Sequence, residues 1–407
     1  MLLRIPTSDA DVIAFEVPDE RLIADCRPPQ SPAPAVAELL RTTINAPLGY
    51  PPLNQAILPG DHVTLAVDPD LPQVAQVVGE VLNDLIETGA SPADLTVLLA
   101  SEAQRQATAT ASPAWNVDVK LIVHDPEDET THAYLAATSD GRPIYLNRAI
   151  GDADVFIPLG VQRLTDALDD RGVHGGWFPA FSNSEAQARH QSPGNIEWQA
   201  HRRRRRQETD EAAWLLGARL VIQIVPGPAG SILGAWCGDC DEVARVAGRA
   251  CQAAWSQEVD RPAELVLAVI DGDASRQSWP QVARALAMAA TAGIEGGVIV
   301  LWTNLAASPG PALMSLSDID SDDDEQRLAL LKHRSADAMA AKVFTDCLLR
   351  YRVYLHCQLD DGILEGMGLT PLHDAAELQR LVNNAATVVA IGSAQYTGIH
   401  VKQPVEA

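Results

Sequence analysis

Short apolar runs bounded by glycine, proline or acidic residues recur along the chain. VTLAV (63–67), LTVLL (95–99), VKLIV (119–123) and VFIPL (155–159) predict strands. Between the first two, VAQVVGEVLNDLIET (74–88) places Val74, Val77, Val78, Val81, Leu82 and Leu85 at spacings of three and four. That spacing predicts an amphipathic helix, closed by Gly89. The second half repeats the pattern. LVIQIV (220–225), LVLAVI (265–270), GVIVLW (297–302) and ATVVAI (386–391) predict strands, and 279–292 and 338–354 predict helices. Alternating short strands and helices imply an α/β fold class with two α/β domains and mostly parallel sheets. Pro262, in EVDRPAEL, interrupts the pattern and suggests units at 1–261 and 262–407. The first has its core at about 10–205, followed by a connecting helical and strand segment. Parallel sheets bind ligands at the carboxyl ends of their strands. The loops beginning near Asp68, Ala100, His124 and Gly160 are therefore the ones to watch.

Composition narrows the function. A chain of 407 residues with 47% hydrophobic and 21% charged residues has enough apolar content for two packed cores. No apolar run is long enough to span a bilayer, and the opening MLLRIPTSDADVIAFEVPDERL lacks the basic start and apolar centre of a signal peptide. The expected compartment is the cytoplasm. Thirty Lys and Arg stand against 54 Asp and Glu, a net charge of −24, so neither nucleic acid nor a membrane is expected as partner. A small anion is still permitted, because a local basic pocket can overcome the global sign.

Three clusters invite a chemical reading. Cys237-Gly-Asp-Cys240 has the spacing of half a zinc site or a redox pair, but no second CxxC follows, and the reading adopted is a strand-to-helix turn with incidental thiols. Arg202–Arg206 could contact phosphate or nucleic acid. Glu208, Asp210 and Glu211 follow at once, and the reading adopted is a solvated helix face. SLSDIDSDDDE (315–325) lacks the glycine and terminal glutamate spacing of an EF-hand and reads as an exposed acidic loop.

Several phrases, in order, resemble the nickel-dependent lactate racemase (LarA-like) family. They are FEVPDERLIADCRPP (15–29), PLGYPPLNQAILPGDHVTLAVDP (47–69), HDP (124–126) with DGRPIYLNRAIGDADVFIPLG (140–160), GVHGGW (172–177), and the stretch from EAAWLLG to ILGAWCGD (211–239). The resemblance implies two α/β domains with an interdomain cleft. It also implies a nickel-pincer nucleotide tethered to a lysine through a thioamide, with nickel held by the pincer and one histidine. Family members racemise or epimerise 2-hydroxy acids. A hydride passes to the cofactor and returns to either face, while two histidines exchange the hydroxyl proton.

Carried over position by position, the resemblance is uneven. Asp68 keeps the aspartate after the first strand, but the arginine that should follow is replaced in Asp68-Pro69-Asp70-Leu71-Pro72. The first catalytic histidine falls near Ala103, the second at Ala167-Leu168, and the tethering lysine at Phe178, two places after Gly175 and Gly176. His190 fits the nickel-ligand position. Gln281 and Arg284 stand where the family has a glutamine and a lysine that bind substrate. His174 replaces a serine in the glycine-rich turn and is a candidate base or metal ligand. The candidate set is therefore His174 and Asp68 for catalysis, Asp68, Gln281 and Arg284 for substrate, Gly175 and Gly176 for the cofactor, and His190 for metal.

Three functions compete. One is a LarA-like hydroxy-acid racemase or epimerase, degenerate at its catalytic positions. The second is a non-catalytic small-molecule-binding or regulatory pseudoenzyme using the same cleft, with a hydroxy acid as ligand. The third is an unrelated reaction drawing on Glu102, Arg105, Arg163, Asp166 or His174. Lys120 is a weak substitute anchor, and the His124-Asp125 pair reads as structural.

Overall fold

The computed structural model describes residues 1–7, 11–30, 34–110, 118–165, 168, 170, 172–193, 198–318 and 335–402. Asp166, Ala167 and most of the acidic run 315–325 lie outside the described residues.

The strands, in chain order, are β1 (Leu2–Pro6), β2 (Val12–Glu16), β3 (Leu22–Cys26), β4 (Val63–Val67), β5 (Leu95–Leu99), β6 (Lys120–Val123), β7 (His132–Ala137), β8 (Pro143–Asn147) and β9 (Val155–Val161). They continue as β10 (Leu220–Pro226), β11 (Ile232–Asp239), β12 (Ser256–Val259), β13 (Ala263–Val269), β14 (Gly293–Trp302), β15 (Arg352–His356), β16 (Thr370–Pro371), β17 (Val388–Ile391) and β18 (Gly398–Val401). Two six-stranded sheets carry the fold, in orders β11-β10-β9-β4-β5-β6 and β16-β15-β14-β13-β17-β3. Every pairing within them is parallel except β10 with β11.

The continuous apolar runs become central strands because helices cover both faces of a parallel sheet. All five residues of β4 and all seven of β10 are buried. The Val74–Glu87 helix turns its predicted stripe onto the first sheet. It ends where Gly89, at φ +110°, lets the Ala90 N–H reach the Leu85 carbonyl.

Two expectations shift. The helix from residue 338 stops at Leu348, not at Tyr354, because Arg350 and Tyr351 both close onto the Cys347 carbonyl and the chain turns. Arg352–His356 then alternates exposed and buried positions as β15. The N-terminal segment also stands apart from the grouping of 1–261. β3 pairs with β17, and the β1–β2 hairpin packs into the apolar layer of β13, β14 and β17. Pro262 falls between β12 and β13.

Strand order determines where a ligand can sit. From β4 the first sheet grows outward through β5 and β6, then returns to add β9 and β10 on the other side. From β13 the second grows through β14, β15 and β16, then adds β17 on the other side. Each sheet thus has a switch point, between β4 and β9 and between β13 and β17, where adjoining loops part and leave a crevice. The two switch points face each other. Arg276, beyond β13, donates to the Leu71 carbonyl beyond β4, and the Ala229 N–H donates to Asp271 Oδ2 at 2.9 Å.

Candidate functional site between two switch points

The crevices open into two large hollows and one small chamber. The first hollow, about 450 Å³, is lined from one side by His124, Phe178 and His190 and from the other by Arg284 and Met339. The second, about 800 Å³, takes Asp70, Ser101 and Ala103 from the first sheet's loops and Asp271, Gln281 and Gln395 from the second's. Pro69 lines both. Both volumes are in the range of small-molecule sites.

The first hollow holds Gly175, Phe178, His190, Leu168 and Arg284 among the sequence candidates. Phe178 is fully buried, and its ring meets that of His190 edge-on, with centroids 5.3 Å apart and planes at 87°. His190 lies on the Ser184–Gln191 helix, which Asn183 caps by accepting the Ala186 N–H. Its Nε2 stands 3.4 Å from Glu208 Oε2. Glu208 also receives Arg189 Nη2 at 2.5 Å and Arg142 Nη1 at 3.0 Å. Burial works against the charge on Glu208, but the His190 and Arg189 hydrogen bonds outweigh it and hold the carboxyl down at about 2.

The basic run differs from its sequence reading. It lies on the Trp198–Leu216 helix, where Arg203 and Arg204 face solvent, but Arg205 and Arg206 line the first hollow. Arg205 donates to the His190 carbonyl at 2.7 Å and the Leu168 carbonyl at 2.8 Å, while Arg206 pairs with Asp210 and Asp170. Glu208, read as part of the offsetting acidic surface, is buried. Spacing alone gave no sign of this. The available signal was the helical offset, since positions 205, 208 and 209 fall on one face.

Asp68, Gly176 and His174 line neither hollow. Asp68 follows β4 and is buried. Its Oδ1 accepts the Asp70 N–H at 2.9 Å and its Oδ2 the Val161 N–H at 3.2 Å, which ties the two sides of the switch point together. Gly176 is required beside it, because a Cβ there would lie 2.5 Å from Asp68 Oδ2. His174 is buried against Trp177, whose indole N–H points at His174 Nδ1 at 3.4 Å. Burial pushes its imidazole down to about 4, so it is neutral at physiological pH. These three residues support the wall of the cleft.

Gln281 and Arg284 sit one turn apart on the Trp279–Ala292 helix but serve different hollows. Gln281 completes a capping box, its Oε1 accepting the Ser278 N–H, and borders the second hollow. Arg284 borders the first. Sequence reasoning missed Asp271. It lies beyond β13 at the switch point, accepts hydrogen bonds from Ser393 at 2.7 Å and Gln395 at 2.6 Å, and has its carboxyl pushed up by burial.

The remaining candidates lie elsewhere, except His124, which lines the first hollow. Glu102 and Arg105 pair with each other on an exposed helix. Lys120 is exposed on β6. His124 is buried, with Nε2 at 2.9 Å from the Ser182 carbonyl and Nδ1 at 3.2 Å from Asn147. Cys237 is buried in β11 and Cys240 opens the Cys240–Trp255 helix. Burial pushes both thiols up, Cys237 to about 12, which disfavours the thiolate that metal or redox chemistry needs. Among the described residues, Asp239, Cys240 and Asp241 are close enough to share an ion, and Cys237 is not among them.

The described residues do not fit a tethered nickel-pincer nucleotide. The resemblance assigns the tether to position 178, where Phe178 offers no amine, and Lys120, Lys342 and Lys402 line neither large hollow. His190, the candidate nickel ligand, has its Nε2 3.4 Å from Glu208 Oε2.

Residues 9–163 match the lactate racemase N-terminal domain family. No curated protein matches the chain. Among solved structures, the lactate racemase apoprotein from Thermoanaerobacterium thermosaccharolyticum superposes with a TM-score of 0.80 at 17% identity, over 98% of this chain and 100% of that one. A protein from Thermotoga maritima superposes with a TM-score of 0.63 at 12% identity, over 90% of this chain and 96% of that one. Among the described residues, no helix is long and apolar enough to cross a membrane. Residues 9–163 thus match the lactate racemase N-terminal domain family, and the whole chain has the mixed α/β fold of the lactate racemase apoprotein.

Proposed function

We propose that this protein is a cytoplasmic, LarA-like small-molecule binder that takes a hydroxy acid or similar small anion in its inter-sheet cleft. It does not run the racemase reaction on a tethered nickel nucleotide. One contact carries this reading. Phe178, at the family's anchor position, packs edge-on against His190, whose Nε2 stands 3.4 Å from Glu208 Oε2. Alanine and leucine at 103 and 168 remove the two proton-transfer bases as well. Among the described residues, three arginines, Arg205, Arg206 and Arg284, and one carboxylate, Asp170, border the first hollow in a strongly acidic chain. Calorimetric titration with D-lactate, L-lactate, malate and inorganic phosphate tests the proposal. At least one is expected to bind, with tenfold or greater weakening in Arg284→Gln. Absence of binding by all four overturns it.

A further inference from the structure

The small chamber between the switch points, about 20 Å³, has an unusual polar lining. Arg163, just beyond β9, enters from the first sheet, and Gln395, just beyond β17, enters from the second. Gln162, Arg284, Tyr396 and two threonines, Thr165 and Thr397, make up the rest of the polar side, while Trp255 and Met288 supply apolar wall. The Arg163 side chain is 11% exposed, and its Nη2 is held by Asp70 at 2.6 Å. Its Nε and Nη1 are buried without a hydrogen-bond partner, as are Gln162 Oε1 and Gln395 Oε1. The other atoms of the two amides are used. Gln395 Nε2 donates to Asp271 Oδ1 at 2.6 Å, and Gln162 Nε2 to the Arg163 carbonyl at 3.1 Å. Arg163, Gln162 and Gln395 thus line a space the size of one water and leave two donor and two acceptor atoms without a partner. Leaving each unmade would cost about 1–3 kcal/mol. An oxygen that accepts twice and donates satisfies this set, whereas a carboxylate or an ammonium satisfies only one half of it.

We propose that this chamber is a binding site for one hydroxyl-type oxygen. It holds a bridging water in the unliganded protein and the hydroxyl of a ligand seated in the adjoining hollows, which share Arg284, Gln395 and Tyr396 with it. The second half rests on the proposed cleft function. The first does not. A crystal structure of the protein without ligand is expected to show one oxygen bonded to Arg163 and to at least one of the two amide oxygens. An empty chamber overturns the proposal. Titration with glycolate and with acetate, which lacks the hydroxyl, tests the second half. Glycolate is expected to bind at least tenfold tighter to the natural protein, and Gln162→Met to bring the ratio towards one. An unchanged ratio in the variant overturns the hydroxyl subsite. If neither acid binds, the hydroxyl subsite fails, the four anions named above still decide the cleft reading, and the crystal structure still decides the water.

Discussion

Phe178 and His190 meet edge to face at 5.3 Å in the wall of the first hollow. The ring is fully buried, so its removal leaves a cavity. Phe178→Ala is expected to lower stability by about 3–5 kcal/mol and Phe178→Leu by much less. Urea unfolding measures both. A loss below about 1 kcal/mol for the alanine variant would show that the ring is not packed as described.

Glu208 gathers Arg142, Arg189 and His190. With its carboxyl held at about 2 in the fold and near 4.3 when unfolded, its contribution is complete above about pH 4.3 and fades as pH falls through 2. Glu208→Gln is expected to cost about 3 kcal/mol at neutral pH and to flatten the stability profile below pH 4.3. Chemical denaturation across pH 2–7 reads both effects. A variant with the same acid slope as the natural protein would contradict this assignment.

His174 acts in a different window. The fold keeps it neutral down to about pH 4, whereas the unfolded chain protonates it near 6.5. Stability attributable to it is present above about 6.5, is lost as pH falls towards 4, and changes no further below that. The loss is on the order of 3 kcal/mol. His174→Gln, which retains an acceptor for Trp177, is expected to reduce the slope of melting temperature against pH between 6.5 and 4. An unaltered slope would contradict the burial of His174. His201, also pushed down to about 4 by burial, contributes in the same interval.

Gly176→Ala places a methyl group against the Asp68 carboxylate, and Asp68 cannot yield without giving up the Val161 and Asp70 N–H groups. The variant is expected to lose at least about 2 kcal/mol. Asp68→Ser in the same chain should recover part of that loss, so the two changes combine non-additively. Strict additivity in denaturant titrations would contradict the close approach.

Much of the fold was legible because parallel strands buried on both faces write themselves as apolar runs. β4, β5 and β10 appear where VTLAV, LTVLL and LVIQIV predicted them. β15 was hidden because its residues continue the apolar texture of the helix before it. The placement of β3 with β17 was hidden because no local pattern encodes a pairing across more than 350 residues. In the site, the neighbourhood of Gly175, Phe178, His190 and Arg284 could be read from the sequence candidates. The Glu208 hub, Asp271 and the Arg163–Gln395 chamber could not, because each depends on which loops the two switch points bring together.

The central claim is that this inter-sheet cleft does not carry a covalently tethered nickel nucleotide. The most direct measurement is intact mass together with nickel content, on protein purified from cells that make the pincer cofactor. The expected result is the unmodified chain mass with nickel well below one equivalent. A stoichiometric covalent adduct with one bound nickel would contradict the account.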